Sequence, residues 1–106
     1  MSKVVIVDSE SFKEETSEGF VLIDFYADWC GPCRQMNPIL DTISEKYDQR
    51  VKVVKVNVDQ NQQLALNYKV RSIPQMFVLK DGNKIASMTG MQPENALVSK
   101  LNSLLA

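Results

Sequence analysis

The sequence predicts a three-layer α/β sandwich: a central mixed five-stranded sheet flanked by four helices. Three observations predict it. Strand-length apolar runs alternate with segments of helical periodicity over the first two-thirds of the chain. Two further runs flank Asp81-Gly82, a dipeptide that supplies the positive φ angles of a tight hairpin, and an amphipathic segment follows them. Right-handed crossovers make the early strands parallel, and the hairpin adds antiparallel ones. With 106 residues and no repeats or linkers, the expectation is one domain, 1-106, around one compact core.

Val4 to Val7 is β-branched and stops at Asp8-Ser9, whose short polar side chains suit a helix N-cap, with Phe12 anchoring the short helix that follows. Phe20 to Ala27 is nearly continuously apolar, as in a central strand covered on both faces, and Asp24 is its one interruption. After the Cys-Gly-Pro-Cys turn, Met36, Ile39, Leu40, Ile43 and Tyr47 recur at helical spacing, predicting a helix from about Cys33 to Tyr47 with a kink at Pro38. Val51 to Val58 reads as the next strand, and Asp59-Gln60-Asn61 caps a helix through Leu64 and Ala65 toward Tyr68. Gln75–Leu79 and Lys84–Met88 form the hairpin. Pro93 opens the last helix, where its missing N–H is harmless, and Leu97, Val98, Leu101, Leu104 and Leu105 give that helix one apolar face.

Composition narrows the function. The chain is 44% hydrophobic and 24% charged, with four Gly and four Pro, which argues against disorder and low complexity. A net charge of −1 offers no basic excess for phosphates or acidic lipids, so neither nucleic acid nor a membrane is expected as a partner. There is no histidine, which excludes the usual serine and cysteine triads and leaves proton transfer to carboxylates, thiols or lysine. The apolar run at the start is too short for a secretory signal and no stretch approaches the ~18 residues of a membrane span, so the chain reads as cytoplasmic.

Two cysteines three positions apart close too short a loop to stabilise much, so their role is chemical. In such a fold ligand chemistry lies at the carboxyl ends of the strands, and the pair falls just beyond the central run. Trp29-Cys30-Gly31-Pro32-Cys33 joins a strand end to a helix start, where unpaired N–H groups and the helix dipole favour a thiolate at Cys30. With Cys30 in the exposed turn and Cys33 in the first helical turn, Cys30 is the attacking nucleophile and Cys33 the resolving thiol. The alternatives are an inert pair and a zinc half-site, but zinc usually takes four Cys or His ligands and two cysteines are all this chain has.

Asp24-Phe25-Tyr26-Ala27-Asp28-Trp29-Cys30-Gly31-Pro32-Cys33 is similar to the central strand and active site of the thioredoxin family. Pro38, Lys55 with Asn57 and Asp59, Ile73-Pro74, Asp81-Gly82 and Gly90 follow in the order the family has them, so the chain resembles a thioredoxin over essentially its whole length. The resemblance implies a thioredoxin fold and a general protein disulfide reductase recycled by thioredoxin reductase drawing on NADPH. The chain has no Gly-rich dinucleotide fingerprint, and no cofactor of its own is expected.

Asp24 lies in a strand that should be buried, where desolvation raises a carboxyl pKa toward the range useful for proton transfer. The resemblance implies that Asp24 is the base and acid for Cys33, through a water; otherwise it is a hydrogen-bonded core Asp. Lys55 alternates with Val51 and Val53 on a covered face and either pairs with Asp24, tuning its pKa, or leads its ammonium to solvent along a buried stem. The resemblance also implies a cis bond at Ile73-Pro74 facing the cysteines, with the Ile73 backbone offered to an extended substrate and metals kept off the dithiol. A trans proline at the strand entrance is the alternative.

The substrate face combines Trp29, Gly31, Pro32, Ile73, Pro74, Gly90 and Met91: apolar surface with small residues for close backbone approach. Trp29 as core filling fits less well with Asp28 and the reactive turn beside it. Gln75 and Met91 depart from the Thr and small residues common in the family, which bears on partner choice. Two other functions remain in view. One is an oxidase or isomerase, against which Gly31-Pro32 and the absence of His between the cysteines speak; the other is a non-catalytic binding subunit using the same apolar rim. A monomer is the default state.

Overall fold

The computed structural model describes residues 2–106. Nine elements follow in the order expected: β1 (Val5–Ile6), α1 (Phe12–Thr16), β2 (Phe20–Tyr26), α2 (Gly31–Lys46), β3 (Val51–Asn57), α3 (Gln62–Asn67), β4 (Gln75–Lys80), β5 (Asn83–Thr89) and α4 (Glu94–Leu105). The sheet order is β1-β3-β2-β4-β5, with β1, β3 and β2 parallel and β4 and β5 antiparallel to their neighbours. Asp81 and Gly82 both have positive φ, at 51° and 83°, so the hairpin turn takes the conformation its dipeptide favours.

Alternation along the strands sorts the apolar side chains to two faces. Val21, Ile23 and Phe25 of β2 join Val54, Val56 and Phe77 in a core that includes Phe12 of α1 and Leu64 of α3. Leu22 joins Val51, Val53, Met76 and Val78 against Met36, Leu40 and Ile43 of α2 and Leu97 and Leu101 of α4. This second arrangement is held at its edge by Tyr47, whose hydroxyl donates to Asn102 Oδ1 at 2.6 Å. Ile43 is fully buried there. Ile43→Val, the loss of one methylene from a packed site, is expected to lower unfolding free energy by about 1 kcal/mol in a urea titration without changing the disulfide chemistry.

Several local expectations shift. The first strand contracts to Val5–Ile6, an edge with Ile6 69% exposed, because only its β3 side is paired. Helix α1 takes Ser11 as N-cap, and Asp8 acts from outside it by accepting the Ser11 N–H at 2.9 Å. Helix α2 begins two residues earlier than the spacing suggested and continues through Pro38. Asn61 is the N-cap of α3, but its side chain makes no cap bond: Oδ1 accepts from Ser9 N at 3.0 Å and Nδ2 donates to Asn57 O at 3.0 Å, tying the loops together. Pro93 is the N-cap of α4, one position before the first helical residue. No helix among the described residues is long and apolar enough to cross a membrane.

Candidate active site

Strand β2 runs through the middle of the sheet, and the chain leaves it into Ala27-Asp28-Trp29-Cys30 and then directly into α2. Cys30 is the N-cap of α2, and Pro32 stands in the first turn, where it forfeits no helical hydrogen bond. The Cys33 N–H donates to Cys30 Sγ at 3.2 Å, so one of the free amides of the helix start points at the sulfur. Cys30 and Cys33 are joined as a disulfide.

Cys30 is not exposed as the turn suggested. It is 5% accessible and Cys33 2%, packed with Ala27 and against Tyr26, Val58 and Ile73. A helix N-cap seated at the end of a central strand is covered by the loops that flank it, and here Ile73 O lies 3.9 Å from Cys30 Sγ. What reaches solvent is a groove of about 470 Å³ lined by Trp29, Cys30, Gly31, Pro32, Arg71 and Ile73, among others. Trp29 stands at its rim, 69% exposed, and its Nε1 donates to Asp59 Oδ2 at 2.9 Å. Asn57 in turn holds the Asp59 loop, its Oδ1 accepting from Asp59 N at 2.9 Å and Gln60 N at 3.2 Å.

The Ile73-Pro74 bond is cis. Pro74 is buried, and its carbonyl accepts from Gly90 N at 2.9 Å, bringing the two segments of the expected substrate face together. Met91 follows, 45% exposed. Gln75 is buried beside them and its amide spans the β4–β5 end: Nε2 donates to Met88 O at 3.1 Å and Oε1 accepts from Thr89 Oγ1 at 2.7 Å. The sequence marked Gln75 only as a departure; its side chain braces the strand that leads to Gly90.

Asp24 is fully buried on the face of β2 that looks toward α2, and neither carboxyl oxygen has a hydrogen-bond partner. Burial pushes its pKa from 3.8 up to about 7, and the positive charge of Lys55 pulls in the opposite direction less strongly. No protein group among the described residues hydrogen-bonds to the Asp24 carboxyl. Lys55 is its register partner on β3, half-buried, but the two do not form a direct ion pair. The ammonium instead donates to Asn37 Oδ1 at 2.6 Å and lies 4.2 Å from the Tyr26 ring centroid. Neither Asn37 nor the Trp29–Asp59 bond was legible as a contact, since each depends on how separate elements are set against one another.

A disulfide-bonded cysteine pair at a helix N-cap, a cis-proline segment opposite it and a buried carboxyl behind it lie together. The thioredoxin family model matches residues 3–103 of this sequence. The chain belongs to the thioredoxin family. It is 43% identical to a thioredoxin of Bacillus subtilis (strain 168) over 96% of its own length and 98% of the relative's. With a thioredoxin of Synechocystis sp. it shares 44% identity over 99% and 100% of the two chains. Among solved structures, a mutant thioredoxin from Halobacterium salinarum NRC-1 superposes with a TM-score of 0.91 at 37% identity, covering 98% of this chain and 92% of that one. Thioredoxins are protein disulfide reductases, and this member is a thiol–disulfide oxidoreductase with Cys30 and Cys33 in the active-site position.

Proposed function

We propose that the protein reduces disulfides of partner proteins by a two-step exchange in which Cys30 attacks and Cys33 resolves. The Cys30 thiolate attacks one sulfur of the partner disulfide; that bond breaks, a mixed disulfide forms, and the departing partner thiolate takes up a proton. Asp24 accepts the Cys33 proton, the Cys33 thiolate attacks Cys30 Sγ, the mixed disulfide breaks, and the second partner sulfur leaves as a thiolate that takes up that proton from Asp24. Two electrons pass to the partner, and the chain is left with its internal disulfide. Thioredoxin reductase returns the electrons, drawing on NADPH.

The observation that carries this reading is the placement of Cys30 at the N-cap of α2 with its sulfur on the Cys33 N–H, since amide donors and the helix dipole stabilise the thiolate that must attack and later leave. Trp29, Gly31, Pro32, Ile73, Pro74, Gly90 and Met91 receive the partner, whose extended chain lies against the Ile73 backbone. Lys55 tunes Asp24. The protein acts as a single-domain monomer in the cytoplasm, where a reductant of disulfides has its use.

The test is the redox midpoint of the Cys30–Cys33 couple in graded thiol–disulfide buffers, followed by the fluorescence of Trp29, the sole tryptophan. A midpoint at or below the cytosolic glutathione poise of about −220 to −260 mV supports electron donation to partner disulfides. A midpoint near about −120 mV would mean that the protein oxidises its partners, and the direction of reaction would be the reverse.

A further inference from the structure

Asn37 lies one helical turn beyond Cys33 on α2 and therefore on the same side of that helix. Its Oδ1 holds the Lys55 ammonium at 2.6 Å, and the Tyr26 ring lies under the same cation. Asp24 and Lys55 are register partners on adjacent parallel strands, so their side chains leave the sheet on one face. Yet the ammonium sits on a neutral amide and a ring, while a buried carboxyl on the neighbouring strand has no hydrogen-bond donor at all. Cys33, Asn37, Lys55 and Tyr26 line a common cavity of about 260 Å³ on the side of the disulfide away from the Trp29 groove.

We propose that Asn37 is a positioning residue for proton transfer: it keeps the Lys55 ammonium on α2 and off the Asp24 carboxylate, so that the cation tunes the proton-accepting group without neutralising it. This rests on the reading of Asp24 as the proton carrier for Cys33. A lysine in direct contact lowers a carboxyl pKa by about 1–3 units, which would return Asp24 toward an ordinary acid with no proton to give near neutrality. An amide acceptor satisfies one ammonium donor at no such cost to the carboxyl.

The remaining charged and titratable groups around the pair are few. Strand β2 contributes Tyr26 and, just beyond its end, Asp28; α2 contributes Cys33, tied in the disulfide, and Arg34, whose guanidinium donates to Asp28 O at 2.9 Å. Asp41, one turn beyond Asn37, shares a second cavity with Lys55 and accepts from the Ser2 hydroxyl at 2.6 Å. On the remaining strands near the pair, the edge strand β1 presents Ile6 to the cavity and the inner strand β4 sets Met76 opposite Asp24, and neither titrates.

The experiment is a pH titration of the Asp24 carboxyl by carbon NMR in the oxidised full-length protein. Asn37→Ala, a substitution that helices tolerate, is expected to lower the Asp24 midpoint by about one pH unit or more, as the released ammonium moves to the carboxylate. Asn37→Gln, which keeps an accepting oxygen, should restore most of the parent midpoint. In a Lys55→Met background Asn37→Ala should move nothing further, since its effect passes through the ammonium. An unchanged or raised midpoint in Asn37→Ala, or an equal shift with Lys55 removed, overturns the proposal. The pH profile of the resolving step separates the two readings: if the midpoint falls and that profile does not follow, Asp24 is not the proton carrier, while the placement of the cation by Asn37 stands.

Discussion

Cys33→Ser is expected to arrest the protein on its partner. Attack by Cys30 needs only its own thiolate and an open groove, and both survive this substitution, so the mixed disulfide forms. Release requires a second thiolate within reach of Cys30 Sγ, and a serine hydroxyl at that position is far too poor a nucleophile at neutral pH. Turnover should fall by roughly 10³-fold or more, with the partner accumulating as a covalent adduct that survives denaturation and is freed by added thiol. Cys30→Ser should be equally inactive and give no adduct. The asymmetry follows from where the two residues face: Cys30 lines the groove rimmed by Trp29 and Pro32, whereas Cys33 lines the cavity on the other side with Asn37 and Lys55. A stable adduct on the Cys30→Ser protein would exchange the two roles.

Asp24→Asn is expected to stabilise the fold at alkaline pH and slow the exchange. The carboxyl titrates at 3.8 when exposed and at about 7 in the folded chain, so between these values the native state holds a proton that the unfolded state has released. Stability from this group is therefore full below about pH 4, falls as pH rises through the window, and is lowest above pH 7. A shift of this size corresponds to about 4 kcal/mol, an upper bound on what Asn recovers at pH 8, while near pH 4 parent and variant should unfold at similar urea concentrations. At the same time the resolving step should slow on the order of 10²-fold and lose its pH dependence near neutrality. Equal stability at pH 8 would mean the burial penalty is relieved in some other way. A stabilised variant with an unaltered rate would leave Asp24 without a part in proton transfer.

The features that were readable before the fold was known are those in which one segment contains its own explanation. Phe20 to Ala27 is apolar at every position but Asp24 because β2 has a helical layer on each face and a strand on each edge, and Asp81-Gly82 prescribes its turn by its own backbone preferences. The Trp29–Cys33 segment announces its chemistry in the same way. What stayed hidden belongs to pairs of elements. Asn37 reads as one polar residue on an amphipathic helix until the phase of α2 and the register of β3 together bring it onto Lys55. Asn61 looks like a helix cap because its position and type are right, yet Ser9 and Asn57 compete for the same side chain and win. The covering of Cys30 likewise comes from Ile73, forty-three residues away in sequence.

The strand order carries a consequence for how the molecule assembles. Strand β2, which leads into the dithiol, gains its first neighbour from β3, with Ile23 beside Val54, and its second only from β4, with Ile23 beside Phe77. Such non-local pairings close large loops before any contact rewards them, whereas the β4–β5 hairpin closes locally. During synthesis the nascent chain would thus present β2 with a bare edge until the last third emerges, and Cys30 would lack the Ile73 segment that covers it. The cysteines would then stand uncovered on an unfinished sheet, and the groove that receives a partner would be complete only once the Val70–Ile73 segment and the strand after it arrive.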